Sequence, residues 1–151
     1  MWILFESDIG LSASLMTSMQ IESLPLSLNE LMLRQRQWSE ERDWQKYHTP
    51  RNLVLALVGE VGELAECFQW KAEVSNGLPE MTEAEKIHVS EELSDCLLYL
   101  VRLSDVCGIN LSEAVVSKMA KNSLKYKVSA CKGSSAKYTV YEAKNKADRD
   151  E

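Results

Sequence analysis

Proline and glycine are scarce in this chain, with 3 Pro and 6 Gly in 151 residues, and aromatic residues make up only 7%. So few turn formers argue against a sandwich or a barrel, and with 45% hydrophobic residues the composition favours helices. The 4 cysteines contain no CxxC pair. Cys67 and Cys96 lie inside apolar runs, where they read as small core residues, and this usage favours a reducing compartment. A basic stripe is also missing. With a net charge of −6 the chain is not expected to bind polymeric nucleic acid, although an acidic protein can still hold nucleotides through a metal. No run is long and uncharged enough to span a membrane. Met1 to Phe5 is apolar but short, and Glu6 and Asp8 follow at once, unlike a signal or transit peptide. The expectation is a soluble, cytoplasmic protein, with nucleus or mitochondrion left open.

The length fits one domain. Residues 1 to 26 mix Ser, Met and Leu without period and read as a disordered extension, dispensable if Met16 or Met19 is the true start. Residues 27 to 126 carry the pattern of an all-α domain of four helices. Ser27 and Glu30 stand as a capping box for a helix through about Trp44, with Leu28, Leu31, Met32, Gln35 and Trp38 inward. Thr49 and Pro50 start a second helix, to about Lys71. Asn76, Gly77 and Pro79 mark a loop, and Thr82 with Glu85 caps a third helix. From Ile87 to Val106 that helix is apolar around most of its circumference, which makes it central. Gly108 suits the C′ position, and Asn110 with Glu113 caps a fourth helix to about Tyr126. Residues 127 to 151 are polar and read as a disordered tail.

The chain turns on LVLALVGEVGELAECFQW, Leu53 to Trp70, an apolar stretch with acids where a plain core helix has none. At about 100° per residue, Glu60 falls in the middle of the Leu53, Leu57, Leu64 stripe and Glu63 at its edge, while Glu66 points elsewhere. A lone buried carboxylate is neutralised or strongly destabilising, so both acids need a partner. Gly59 and Gly62 each cost roughly 1 kcal/mol in a helix and suggest that another backbone comes close. On the third helix, Glu92 and Asp95 repeat the i, i+3 spacing and share a face with Tyr99, Cys96 and Leu103. If both faces enter one core, four acids converge. Two carboxylates about 4 Å apart repel by roughly 4 kcal/mol at an effective dielectric of 20, so the cluster calls for a cation. Oxygen ligands without His or Cys select Mg²⁺, or Mn²⁺, over zinc. Mg²⁺ keeps waters and binds phosphate oxygens, which makes a phosphorylated compound the natural substrate class. One acidic pair alone is usually a solvated face; two, each set among apolar residues, favour the metal site.

Glu60 and Glu63 followed by Glu92 and Asp95, an E-x-x-E and an E-x-x-D a loop apart, resemble the all-α nucleoside triphosphate pyrophosphatase superfamily that includes MazG. ERDWQKYHTPRNLVLALVGEVGELAECFQW, from Glu41, and EELSDCLLYLVRL, from Glu91, are similar to its dCTP pyrophosphatase branch. The resemblance covers about residues 27 to 126 and neither end. It implies a four-helix protomer assembling as a dimer or a dimer-of-dimers tetramer, with Glu60, Glu63, Glu92 and Asp95 as Mg²⁺ ligands. The implied chemistry is attack by a metal-bound water on the α-phosphate of a deoxynucleoside triphosphate such as dCTP, releasing pyrophosphate. It also implies base and sugar contacts from Trp44, Gln45, Lys46, Tyr47 and His48, with Trp70 as a second wall and Tyr99 beneath the sugar. Base stacking on an aromatic ring contributes roughly 1 to 3 kcal/mol, while the exocyclic amine of cytosine needs an acceptor. Lys118, Asn122 and Lys125, at spacings of four and three on the fourth helix, resemble a stretch that reaches the phosphates. The chain departs from the family pattern at Lys125, where relatives carry Arg, at Gln35, which is His in some, and in lacking Pro after Tyr126.

On the residues alone, Trp38 reads as core, His88 as surface, and His48 either as a ligand or as a cap for the next helix. Two competing functions stay open: a sister enzyme for dUTP or mixed triphosphates, and a noncatalytic helical interaction module. A di-iron bundle is disfavoured because its E-x-x-H ligands are absent.

Overall fold

A computed structural model describes residues 26–135. The expected extension, with Met16 and Met19, lies outside the described residues up to residue 25, and the expected tail from 127 lies outside them beyond residue 135; its start, read as disordered, holds a helical turn at Val128–Cys131. Among the described residues every regular element is a helix: α1 (Leu28–Glu41), α2 (Pro50–Gln69), α3 (Glu83–Val106), α4 (Leu111–Lys125) and the single turn α5 (Val128–Cys131). The four cysteines form no disulfide. No helix among the described residues is long and apolar enough to cross a membrane.

The helices begin where the capping residues stand. Ser27, Thr49, Thr82 and Asn110 each accept a hydrogen bond from the backbone N–H three residues on, satisfying a donor that has no partner within its helix. Only at Thr82 do both arms of a capping box form, Glu85 returning to the Thr82 N–H at 2.7 Å. At the first helix Glu30 instead takes Arg34 at 2.7 Å. α1 also stops earlier than its periodicity suggests. Asp43 adopts φ 52° and the Trp44 N–H reaches back to the Ser39 carbonyl at 3.0 Å, so the chain leaves the helix before Trp44. At the other end of α3 the expectation holds: Gly108, at φ 65°, closes the helix through its N–H to the Asp105 carbonyl.

The chain separates after Gly108 into two compact units. In the first, α3 is central: α2 packs along it and α1 packs against it as well. Leu53, Met81, Val89 and Val101 are buried between these elements, and Ser39 is fully enclosed. The remaining apolar surface is large. Val54, Leu55, Val58 and Val61 on α2, and Leu93, Leu97 and Leu100 on α3, are all exposed. A side chain added at Gly59 or Gly62 would meet nothing within 4 Å, so the close backbone expected at these glycines is not supplied by the described residues of this chain. The second unit holds α4 and α5; α4 has no buried residue.

Candidate functional site

The acids on α2 and α3 do meet. Glu60, Glu63 and Glu92 offer carboxylate oxygens that all lie within 4.8 Å of one another, an arrangement produced by i, i+3 spacing on one helix facing the same spacing on the next. Asp95 stands outside that trio, but its charge reaches Glu60. Burial, then Asp95, Glu63 and Glu92, push the Glu60 carboxyl up to about 7. Burial and Glu63 raise Glu92 and Asp95 above the usual carboxylate range as well. Among the described residues no Lys or Arg pairs with any of the four. His88 is the one base beside them, its Nδ1 3.5 Å from Glu92 Oε1. The other oxygen, Glu92 Oε2, is buried with no hydrogen-bond partner. An orphaned buried charged acceptor is expensive, and two further carboxylates beside it, on half-buried Glu60 and exposed Glu63, add repulsion. The donor set, all oxygen and all anionic, fits a hard divalent cation.

Next to this cluster the α1–α2 connection, the first turns of α2 and α3 form a small cavity lined by Tyr47, His48, Asn52, Leu53, Ala56 and Tyr99. Tyr99 joins the two regions. It lines the cavity, and burial followed by the Glu60, Asp95 and Glu63 charges raises its hydroxyl above the ordinary phenol value. Asn52 anchors the loop by donating to the Tyr47 carbonyl at 3.0 Å. His48 does not cap α2, a role that Thr49 takes. Its Nδ1 lies 3.0 Å from Arg102 Nε and 3.1 Å from Ser39 Oγ. Arg102 in turn donates to Asp105 at 2.5 Å, and Arg36 holds both oxygens of the same carboxylate.

The other expected contacts are more scattered. Trp44 packs edge-on against Trp38, with ring centroids 4.9 Å apart, and against His48 at 6.3 Å. Trp38, expected in the core, is 42% exposed and carries the Arg42 guanidinium over its ring. Gln45 is exposed, and Lys46 pairs with Asp43 at 2.5 Å above the Tyr47 ring. Trp70 is the C-cap of α2 and 86% exposed; it does not line the cavity. Gln35 donates through Nε2 to the Leu98 carbonyl at 2.8 Å, which fixes its amide, and leaves Oε1 buried without a partner. In the second unit, Lys118 and Lys125 are exposed on α4 and Asn122 is half-buried. His88 is at the surface, as expected, but beside Glu92.

Ser39, Arg36, Arg102 and Asp105 were not among the residues expected here. The signal for two of them was present: Arg102 and Asp105 interrupt an apolar helix at an i, i+3 spacing, as Glu92 and Asp95 do.

Residues 56–140 match the family model described as the MazG-like family. The chain belongs to the MazG-like family. Its relatives include dCTP pyrophosphatase 1 of Mus musculus, 47% identical over 113 residues, which are 75% of this chain and 66% of that one. The Homo sapiens protein of the same name is 46% identical, again over 75% of this chain and 66% of its own. The chain thus spans just under two thirds of the length of these curated relatives. A crystal structure of a pyrophosphatase from Archaeoglobus fulgidus superposes with a TM-score of 0.60 at 45% identity, covering 66% of this chain and 92% of that one.

Proposed function

We propose that this MazG-like protein is a divalent-metal-dependent dCTP pyrophosphatase, hydrolysing dCTP or modified dCTP to the monophosphate and pyrophosphate. The observation that carries the reaction class is the carboxylate trio with its orphaned Glu92 Oε2, built next to a cavity and free of any Lys or Arg ion pair among the described residues. The base preference rests on the 46–47% identity to relatives named for dCTP. Glu60, Glu63, Glu92 and Asp95 would hold Mg²⁺ or Mn²⁺. When bound, the ion neutralises phosphate charge and lowers the pKa of water. Water adds to the α-phosphorus, the bond to the α–β bridging oxygen breaks, and pyrophosphate departs.

The remaining residues orient the substrate in this reading. Trp44 and Trp70 supply aromatic faces for the base and Tyr99 a wall for the sugar, with Gln45, Lys46, Tyr47 and His48 around them. Lys118, Asn122 and Lys125, in the second unit, are assigned to phosphate by resemblance alone. Gln35, whose Nε2 is committed to the Leu98 carbonyl and whose Oε1 is a buried acceptor, is assigned to the base by resemblance alone. The test is pyrophosphate release from a panel of deoxynucleoside triphosphates, with Mg²⁺ and with excess chelator, for the wild type beside Glu63→Ala. Metal-dependent release, greatest with dCTP and lost in the variant at unchanged helicity, is expected. Release from other bases in preference would overturn the specificity, and none at all would leave a noncatalytic helical module.

The same reading makes the protein a homo-oligomer, a dimer or a tetramer of paired dimers. The support is the exposed apolar face of α2 and α3, with Val58 64% and Leu55 61% exposed beside two glycines that have open space at Cβ. A second copy would cover that face. Val58→Glu should shift the light-scattering mass toward that of one chain, and a wild type that is already monomeric excludes the assembly.

A further inference from the structure

We infer that Arg102 is a positioning residue that fixes His48 as its Nε2–H tautomer, so that the imidazole enters the cavity as a hydrogen-bond donor. The inference rests on the function proposed above only for its last step, the use of that donor by a substrate.

Arg102 Nε carries a hydrogen and has no lone pair to offer, so at 3.0 Å from His48 Nδ1 it can only donate. Nδ1 must then be the unprotonated nitrogen, and the hydrogen of a neutral ring sits on Nε2. Ser39 Oγ, fully enclosed and 3.1 Å from the same Nδ1, can turn its hydroxyl to donate and does not oppose this. Doubly protonated imidazolium would set an Nδ1–H against the guanidinium hydrogen. Burial and the Arg102 charge both hold the imidazole pKa below its ordinary value, in the same direction.

Arg102 is itself held. Its side chain is 8% exposed and bound to Asp105, which is 6% exposed and also engages Arg36. Two arginines on one carboxylate leave the guanidinium little freedom to rotate Nε away from His48. The chain of contacts therefore runs from α1 through α3 to the loop before α2: Arg36, Asp105, Arg102, His48. Because His48 lines the cavity with Tyr47, Asn52 and Tyr99, a ligand group that comes within hydrogen-bond distance of its Nε2 has to be an acceptor, a carbonyl, hydroxyl or phosphate oxygen. An ammonium or an aromatic exocyclic amine, which can only donate, is refused at that position.

The tautomer can be read without substrate. The chain has two histidines, so long-range ¹⁵N–¹H correlation spectra of the uniformly labelled protein at pH 7.5, beside His88→Gln for assignment, identify His48 directly. The expected pattern is a protonated Nε2 and a pyridine-type Nδ1 in the wild type. In Arg102→Leu the His48 pattern should become that of exchanging tautomers, with KM for dCTP raised about tenfold and kcat changed less than threefold. Arg102→Lys, which keeps a donor, should restore part of both. A wild-type His48 that is protonated on Nδ1, or that already exchanges, overturns the inference whatever the enzyme does, and needs no variant that folds. So does an Arg102→Leu protein with unchanged spectrum. The expected wild-type spectrum in a protein that hydrolyses no triphosphate would instead keep the tautomer and sink the function.

Discussion

Two regions of the first unit place charge among apolar side chains, and they resolve it in opposite ways. Around Asp105 the chain brings its own counter-ions: Arg102 and Arg36 share one carboxylate, and the group is complete as it stands. Around Glu60, Glu63 and Glu92 it brings none, and an oxygen is left buried with no partner. Both groups arise from i, i+3 pairs on α3 packed against a neighbouring element. A cluster whose charges are paired holds structure together. An unpaired one is unstable alone and marks where something from outside belongs, which is why the second, and not the first, reads as the functional site.

The contrast makes predictions of opposite sign. Asp105→Ala removes the anion from between two arginines and leaves Arg102 buried and unpaired, a loss of about 3 to 5 kcal/mol by analogy with broken buried pairs. Urea unfolding monitored by circular dichroism would measure it. A loss under about 1 kcal/mol would mean that Arg102 reaches water more easily than its 8% side-chain exposure allows. Glu60→Gln in chelator-treated protein at pH 8 should do the reverse and stabilise, by on the order of 1 kcal/mol after allowing for partial solvent screening, since it relieves repulsion. In saturating Mg²⁺ the same substitution should destabilise relative to wild type, because it removes a ligand.

Much of this was legible in the sequence and some was not. The four long helices, their caps at Thr49, Thr82 and Asn110, and the convergence of acids follow from local spacing, because a cap and an i, i+3 pair are decided within one turn. The end of α1 was not legible: it depends on Asp43 entering the left-handed region and on Trp44 folding back to Ser39. Nor was the His48 network, whose members are 54 positions apart, so that no spacing rule joins Arg102 to its imidazole. Reading Arg102 as the acids were read, as a charge that needs a partner, would have raised the question without naming His48. The glycines taught a different lesson. Gly59 and Gly62 look onto open space here, so the close neighbour that they suggest is not supplied by the described residues.

Acidity offers the next test of the same contrast. The Glu60 carboxyl is raised from its ordinary value of 4.5 to about 7 in the metal-free protein. Between those values the folded chain binds more protons than the unfolded one, so stability falls as pH climbs from about 4.5 to about 7. A cation bound by the carboxylates reverses this, because it requires them ionised. Mg²⁺ should therefore raise the melting temperature at pH 8, by an amount equivalent to about 2.7 kcal/mol at a hundredfold excess over its dissociation constant, and do little near pH 5. Equal stabilisation at both values would point to a site that does not use these acids.

A third acid serves as the internal control, with the smallest effect. Glu85 stands at the start of α3, where Lys71 donates to it at 2.5 Å and both the backbone and the hydroxyl of Thr82 donate to its other oxygen. Lys71 first, then Thr82, hold its carboxyl down at about 2, the opposite direction from Glu60 although both are glutamates on packed helices. The sign of its linkage is opposite too. Glu85 stabilises the fold above its ordinary value of 4.5 and ceases to do so as pH falls toward about 2. Lys71→Met should move the Glu85 midpoint up toward the ordinary carboxylate range in a ¹³C-detected titration while leaving turnover unchanged. A midpoint that stays put would assign the shift to the capping hydrogen bonds of Thr82. It would also show that the lysine, exposed enough to be hydrated, contributes less than the geometry of the helix start.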